Sequence, residues 1–153
     1  MDGLKEKALS ELRLRSIGFV FQDHNLIEDL TVAQNVMLPL RLAKAERRQE
    51  RAERMLESFG VSELSSRRPM ELSTGQRQLV AVARAFANGP SILLADEPTA
   101  SLDQENRELV HGALKTANAM GAALMMTSHD YESEFVCPGM KRYVMQEGEL
   151  HPS

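Results

Sequence analysis

The segment Leu72-Ser73-Thr74-Gly75-Gln76 and the run Ile92-Leu93-Leu94-Ala95-Asp96-Glu97 decide how this chain folds. In the first, Ser73 is placed to cap a helix, and Gln76 completes a capping box ahead of apolar residues at helical spacing. In the second, a short apolar run ends in an acidic pair, which is the pattern of a buried strand that brings polar groups to a sheet edge. Together they predict a helix that ends at the turn 88–90 and is followed by a strand.

Strand and helix alternate beyond this point. A helix is expected from about Gln104 and a strand at 122–127, which ends shortly before His129. The residues expected to share the buried face of the helix are Leu109, Ala113, Ala117 and Met120. Such a strand–helix–strand unit is long enough for a right-handed crossover between parallel strands. Asp96-Glu97 and His129 should therefore leave the carboxyl ends of neighbouring strands, where α/β sheets hold their ligands.

The region before these segments is mostly helical. A short strand at 17–21 ends at Gln22, and the pattern is then helical from about residue 31 to 88. Thr31 is a candidate N-cap for the first helix of this region, and a second helix is expected at 45–59. We therefore expect a helical insert inside an α/β core.

Composition limits the functional classes. The 153 residues suffice for one domain, and the net charge of −4, from 18 basic and 22 acidic residues, gives no support to a nucleic-acid partner. A single cysteine, Cys137, excludes an internal disulfide. Met1 to Leu12 has no apolar core of a signal peptide, and no apolar run approaches membrane-spanning length. A soluble, cytoplasmic chain is the expectation.

Further motifs occur in a fixed order along the chain. They are Gln22, Ser73-Thr74-Gly75-Gln76, Asp96-Glu97, the turn Ala100-Ser101-Leu102-Asp103, and His129. In this order they resemble the Q-loop, signature motif, Walker B strand, D-loop and switch histidine of ATP-binding cassette (ABC) ATPases. The resemblance covers nearly the whole chain and is most specific at 67–103.

The resemblance implies an α/β fold class: a partial P-loop NTPase (RecA-like) parallel sheet core with an inserted α-helical signature subdomain. On this basis residues 1–24 are part of the core with the Q-loop, 25–90 are the helical signature subdomain, and 91–153 are the remainder of the core. Phrases such as Leu30-Thr31-Val32 and Leu38-Pro39-Leu40 look most like the lipoprotein-releasing and macrolide-export branch of the family.

Three departures from the family pattern stand out. No Gly-x-x-x-x-Gly-Lys-Ser/Thr phosphate loop occurs, and none of the nine glycines is followed by lysine. Because Met1-Asp2-Gly3 lines up inside the family's N-terminal region, the phosphate loop is expected upstream of Met1. Thr74 replaces a glycine, and Leu79 replaces an arginine. If Thr74 occupies the first helical position, its φ is negative and the cap survives.

The resemblance assigns the catalytic and metal-binding roles to four residues. Asp96 would hold Mg²⁺, through water, and Glu97 would act as general base towards the attacking water. His129 would hydrogen-bond the γ-phosphate, a role that suits a ring with both donor and acceptor capacity. Gln22 would contact both Mg²⁺ and the water.

The cofactor-binding residues implied by the resemblance are Ser73, Thr74, Gly75, Gln76 and Asp103. A helix N-terminus presents unpaired N–H groups and the positive end of the helix dipole, and glycine permits close approach of an anion. In the family this turn faces the ATP that the opposite subunit holds.

The function implied is that of an ATP-binding and ATP-hydrolysing subunit of an ABC membrane transporter, with ATP and Mg²⁺ as cofactors. The implied partners are a transmembrane permease subunit and a second ATP-binding subunit, which would place the chain at the inner face of the cell membrane. Without the phosphate loop, hydrolysis by the chain alone is not expected. The alternative is a catalytically inactive partner that lends its signature motif to another subunit's ATP site. A chromosome-type or repair-type ATPase would need long coiled-coil arms, for which the helix at 45–59 is too short.

A groove for the permease is a further expectation. Leu26, Ile27, Val32 and Val36 would line it and accept an amphipathic helix. The alternative is that these side chains form the core of the insert itself.

Overall fold

The structure, a computed structural model, describes residues 6–129 and 135–153. The helices and strands in chain order are α1 (Glu6–Ser16), β1 (Ile17–Val20), α2 (Val32–Leu42), α3 (Arg48–Ser58), α4 (Thr74–Phe86), β2 (Ile92–Asp96), α5 (Gln104–Ala119), β3 (Ala123–Thr127), β4 (Tyr143–Gln146) and β5 (Glu149–Pro152). Short 3₁₀ turns lie at Ser62–Leu64 and Pro69–Glu71. The tripeptide Met1-Asp2-Gly3 lies outside the described residues.

The central sheet is parallel, as the alternation of strand and helix predicts. Its order is β1-β2-β3, so β2 lies between the other two strands. Ile17 pairs with Ile92, and Asp96 pairs with Thr127. The carboxyl ends of all three strands therefore lie at one edge of the sheet. A separate antiparallel hairpin, β4 with β5, follows.

The helical insert begins as predicted, but its second helix starts later than expected. Thr31 caps α2 in a capping box with Gln34. Helix α3 begins at Arg48 instead of residue 45, because Lys44 and Arg47 have φ values of 51° and 49°. Left-handed residues interrupt a right-handed helix, so the chain turns at 43–47 before α3 begins.

Helix α4 is capped as predicted, whereas the buried face of α5 differs from the prediction. In α4, Ser73 is the N-cap and Thr74 is the first helical residue. In α5, Leu109 and Met120 are about half exposed, and the buried residues are Val110, His111, Ala113, Leu114 and Ala117. The sequence offers two overlapping apolar stripes, and the stripe that packs is the one at i, i+3, i+4 and i+7 spacing.

The two faces of the sheet have different surroundings. On one face Val20, Leu93 and Ala95 are buried, and the helices α4 and α5 pack against β1 and β3. On the opposite face, Phe19 and Met125 are exposed. Among the described helices, none is both long and apolar enough to cross a membrane.

Candidate functional site

A chain of hydrogen bonds joins the ends of β2 and β3. Thr127 Oγ1 donates to Asp96 Oδ1 at 2.6 Å, and the backbone N–H of Glu97 donates to the same Thr127 oxygen at 3.1 Å. Because Asp96 and Thr127 are paired in the parallel register, the sheet itself sets this contact. Sequence reasoning gave Thr127 no role, although its place opposite Asp96 follows once the two strands are aligned.

The Glu97 carboxylate extends this network to His129. Glu97 Oε2 lies 2.9 Å from His129 Nδ1, and the imidazole is largely exposed while the carboxylate is three-quarters buried. Glu97 also has a φ of 46°, a left-handed conformation that costs free energy in a residue other than glycine. Strain of this kind persists where surrounding contacts fix it, and it is frequent at functional sites. The structure thus brings Asp96, Glu97 and His129 together.

Gln22 lies at the same edge of the sheet but makes no hydrogen bond to the acidic pair. Strand β1 ends at Val20, and the exposed Gln22 follows in a turn two residues later. In the parts of the chain that the structure describes, neither Asp96 nor Glu97 is bonded to it. The sequence placed Gln22 directly at the end of the strand, whereas the structure places it on a loop.

Side chains of α4 hold the loop that carries Gln22. Arg84 donates to the carbonyl oxygens of His24, at 2.7 Å, and Asn25, at 2.5 Å, and burial lowers the pKa of its guanidinium. These two loop residues have consecutive positive φ values of 62° and 48°. Gln78, which is 1% exposed, donates to the Phe21 carbonyl at 3.3 Å. Sequence reasoning missed both α4 residues because their partners lie almost 60 positions away.

The far end of the same loop is held by Asn35 of α2. Its Oδ1 accepts from the Ile27 N–H, and its Nδ2 donates to the carbonyls of Ile27, Leu30 and Thr31. A polar residue at a buried helical position was the only sequence signal for this role. The loop is therefore fixed by side chains of the insert at both ends.

The signature turn forms the predicted capping box. Ser73 Oγ accepts from the Gln76 N–H at 3.2 Å, and Gln76 Oε1 accepts from the Ser73 N–H at 3.0 Å. Thr74 occupies the first helical position, so its replacement of a glycine leaves the cap intact. The N–H groups of the first helical turn have no partners within the helix, which makes this turn a favourable place for an anion.

Asp103 lies on the side of the signature turn and not at the sheet edge that carries Asp96. It caps α5, where its Oδ1 accepts both the backbone N–H of Asn106, at 2.9 Å, and the side-chain Nδ2 of Asn106, at 2.8 Å. These hydrogen bonds lower the pKa of the Asp103 carboxyl. Asn106 in turn packs against Gly75. The predicted residues therefore form two clusters, one at the sheet edge and one at the start of α4.

His24 lies on the Gln22 loop near the signature turn. Burial lowers the pKa of the half-buried imidazole, and the charge of Arg77 acts in the same direction. Hydrogen bonds to the backbone of Asp23 and Thr74 oppose this shift. The ring of this loop residue therefore lies near the first residue of α4.

The four residues expected to line a permease groove differ in burial. Val32 and Val36 are completely buried in the core of the insert, whereas Ile27 is exposed and Leu26 is half-buried. Val32 and Val36 therefore form part of the core of the insert, which was the alternative to a groove. Their positions on α2 face α3 and α4, which bury them.

The residues at the sheet edge suit magnesium. Mg²⁺ is bound in proteins by one or two carboxylates together with waters and substrate phosphates. Asp96 is exposed at the end of β2 and offers carboxylate oxygen, while Gln22 offers an amide oxygen from the same edge. Within the described residues there is no cluster of three or more His, Cys, Asp or Glu side chains that could hold a metal.

Solved structures identify the class of protein that this fold defines. The dimeric structure of the ATP-binding cassette MJ0796 in a post-hydrolysis state, bound to ADP and Pi, superposes with a TM-score of 0.71 at 38% identity. The match covers 84% of this chain and 59% of that one. The α/β fold with a parallel sheet and a helical insert is therefore that of an ATP-binding cassette.

Sequence comparisons give the family. The family model described as ABC transporter matches residues 3–100, more than half of the chain. A lipoprotein-releasing system ATP-binding protein, LolD of Aquifex aeolicus, is 44% identical over 134 residues, which are 86% of this chain and 60% of that protein. The bacitracin export ATP-binding protein BceA of Halalkalibacterium halodurans is 38% identical over 90% of this chain and 55% of its own length. The chain belongs to the ABC transporter family.

The resemblance to the lipoprotein-releasing branch is thus confirmed, and so is the shortness of the chain. This protein spans about 60% of the length of the LolD and MJ0796 relatives. Its matches lie among ATP-binding subunits of ABC transporters.

Proposed function

We propose that this chain acts as the ATP-binding and ATP-hydrolysing subunit of an ABC membrane transporter and supplies the hydrolytic side of its ATP site. The observation that carries the proposal is the network Asp96–Thr127–Glu97–His129 at the carboxyl ends of the parallel strands. Phosphoryl transfer to water needs a positioned water, a base and groups that stabilise charge on the γ-phosphate. These side chains are of the right kinds for that chemistry.

Each residue of the network has a distinct task in the proposal. Glu97 contacts His129 through Oε2 alone, so Oε1 is left to accept a proton from the attacking water. His129 is exposed and positioned to donate a hydrogen bond to the γ-phosphate while Glu97 fixes its ring. Asp96, oriented by Thr127, would hold Mg²⁺, which when bound neutralises charge on the phosphate oxygens. Gln22 would complete the site from its loop.

The second cluster serves a second nucleotide in this proposal. Ser73, Thr74, Gly75 and Gln76 would present the start of α4 to the ATP of another ATP-binding subunit, with Asp103 beside them. The MJ0796 relative is a dimer, which supports an assembly of two such subunits. The alternative of an inactive partner has no support in the comparisons.

The partners and the location follow from the same proposal. A transmembrane permease subunit would recruit the chain to the inner face of the cell membrane from the cytoplasm. The division into 1–24, 25–90 and 91–153 is part of this proposal, with the helical signature subdomain at 25–90 as the element that responds to the partner. Nucleic acid has no role in it.

The test combines this chain with the part of a relative that lies outside the match between the two. The part of the Aquifex aeolicus LolD relative that lies outside the match to this chain would be produced separately and mixed with the purified chain. Mg²⁺-dependent release of phosphate from ATP is expected in the mixture and not with either component alone. Glu97→Gln should lower the rate by about 10²–10⁴-fold, the usual contribution of a general base.

The matched control is Glu108→Gln. Glu108 is an exposed carboxylate of α5 that, among the described residues, accepts a hydrogen bond from Gln104 alone, so its loss should leave the rate unchanged. Equal rates for Glu97→Gln and wild type in an active mixture would contradict the assignment of the base. A mixture that associates but never hydrolyses ATP would contradict the proposed function.

A further inference from the structure

Asn106 of α5 fills the space that a side chain at Gly75 of the signature turn would need. A methyl group on Gly75 would lie 1.9 Å from Asn106 Oδ1, 2.4 Å from Cγ and 2.8 Å from Cβ. No real side chain tolerates such distances, so any residue larger than glycine would displace Asn106. Gly75 is also buried. The glycine is therefore required for packing inside this subunit, whatever approaches the turn from outside.

The other end of the Asn106 amide is bonded to Asp103. Its Nδ2 donates to Asp103 Oδ1 at 2.8 Å, and the backbone N–H of Asn106 donates to the same oxygen at 2.9 Å. One carboxylate oxygen thus receives both donors of a single residue. This arrangement fixes the Asp103 carboxylate and stabilises its charged form.

We propose that Asn106 is a positioning residue that couples the signature turn, residues 73–76, to the turn ending at Asp103. The proposal rests on the proposed function, in which both turns face nucleotide. The coupling has two contacts in series: Gly75 packs on one side of the amide and Asp103 accepts a hydrogen bond from the other. A displacement of either turn would therefore move the second one.

The first test is a double-mutant cycle followed by ¹⁵N NMR of the full chain. Asp103→Asn removes the charge and keeps an oxygen that caps α5. In the wild-type background this change should shift the backbone amide signals of residues 73–76. In an Asn106→Ala background the same change should leave those signals in place, because the connection has been removed. Persistence of the shifts without the Asn106 side chain, or their absence from the start, would overturn the proposal.

Gln104→Ala is the matched control. Gln104 lies in the same turn of α5, but it is exposed and its side chain bonds Glu108. Asp103→Asn should shift the signals of residues 73–76 as strongly in this background as in wild type. A merely structural role of Asn106 would change stability without this selective loss of transmission.

The second test uses suppression. Gly75→Ala alone should lower the melting temperature and shift the signals of residues 73–76 and 103, because the methyl displaces Asn106. Adding Asn106→Gly removes all three obstructing atoms and should return the signals of residues 73–76 to those of the Asn106→Gly single variant, while Asp103 stays altered. A Gly75→Ala variant that matches wild type in both readouts would overturn the proposal. Because neither test uses ATP, their failure would leave the proposed function standing, and inactive mixtures would leave the coupling standing.

Discussion

Asn35 of the helical insert and the apolar side chains on the uncovered face of the sheet differ in how completely the surrounding residues contact them. In the insert, Asn35 is 0% exposed and makes four hydrogen bonds to backbone groups of its own region. On the uncovered face, Met125 is 63% exposed and Phe19 and Ile92 are about 40% exposed. Asn35 is thus bonded entirely within its own region, whereas the sheet presents apolar groups to solvent. Exposed apolar side chains also occur in the insert, at Leu42 and Met70.

This difference reflects how the two faces of the sheet are covered. Parallel sheets are almost always covered on both faces, since their strands are apolar throughout. Here α4 and α5 cover one face only, and among the described strands β1 and β3 each have a neighbouring strand on a single side. The Gln22 loop is therefore held by side chains of α2 and α4, while the sheet-edge cluster lies on a sheet whose exposed face would gain stability from further contacts.

The largest expected effect tests how much the hydrogen bonds of Asn35 stabilise the insert. Asn35→Ala removes four hydrogen bonds and takes away the partners of the Ile27 N–H and the Leu30 carbonyl, whereas the carbonyls of Ile27 and Thr31 keep the backbone N–H groups of Leu30 and Asn35. We expect a loss of about 4 kcal/mol in the free energy of unfolding, because each of the four hydrogen bonds contributes about 1 kcal/mol. Urea denaturation followed by circular dichroism measures it.

Asn118→Ala is the matched control for this prediction. Its Nδ2 makes a single hydrogen bond, to the Ala122 carbonyl at the start of β3. The expected loss is about 1 kcal/mol. Equal effects of the two substitutions would show that the insert is no better connected than the rest of the chain.

A second comparison uses two adjacent leucines of β2. Leu93 is completely buried on the covered face, and Leu94 points to the uncovered face. Leu93→Ala should cost about 3 kcal/mol, within the range for buried leucines, whereas Leu94→Ala should cost less than about 1 kcal/mol. The same urea experiment compares them directly. Similar losses would mean that both faces are covered in solution.

The features that depend on residues close together in the chain were predictable from the sequence. The cap at Ser73 and the strand ending at Asp96 follow from local patterns, and the parallel order follows from the length of the connection between β2 and β3. The predicted start of α3 was wrong because Lys44 and Arg47 have left-handed backbone conformations. Lysine and arginine are not residue types that usually indicate such turns.

The contacts that hold the candidate site residues in place could not be predicted from the sequence, for a different reason. Arg84 meets His24 and Asn25 across about 60 positions of chain, and Asn106 meets Gly75 only after α4 and α5 pack together. A polar residue on a helix gives no sign of its distant partner. The chemistry-bearing residues were thus predictable as motifs, and the residues that position them were not.

A third prediction concerns association of the uncovered face. Ile92→Thr with Met125→Thr replaces two exposed apolar side chains by residues that favour strands. Unfolding free energy should change by less than about 0.5 kcal/mol per site, because exposed positions contribute little. Light scattering should show less aggregation on concentration, since exposed apolar patches promote association. The pair Glu63→Thr with Glu57→Thr, on the exposed surface of the insert, is the control and should not reduce aggregation.

The smallest expected effect is a pH dependence located in the Gln22 loop. The pKa of His24 is lowered from its ordinary value of 6.5, chiefly by burial and further by Arg77. The folded state therefore disfavours the charged ring more than the unfolded state does. The stability that depends on neutral His24 is present above pH 6.5 and is lost as the pH falls below that value towards the folded pKa.

Replacing the ring with a neutral amide should remove this dependence. His24→Asn suits the position because asparagine tolerates the φ of 62° found there. Urea denaturation at pH 7.5 and 5.0 should show a smaller difference between the two pH values for this variant than for wild type. His151→Asn, a change at an exposed histidine of β5, is the matched control and should keep the wild-type difference. An undiminished pH dependence in His24→Asn would mean that the loop releases its histidine to solvent. The Gln22 loop would then be less firmly held than the contacts of Arg84 and Gln78 imply.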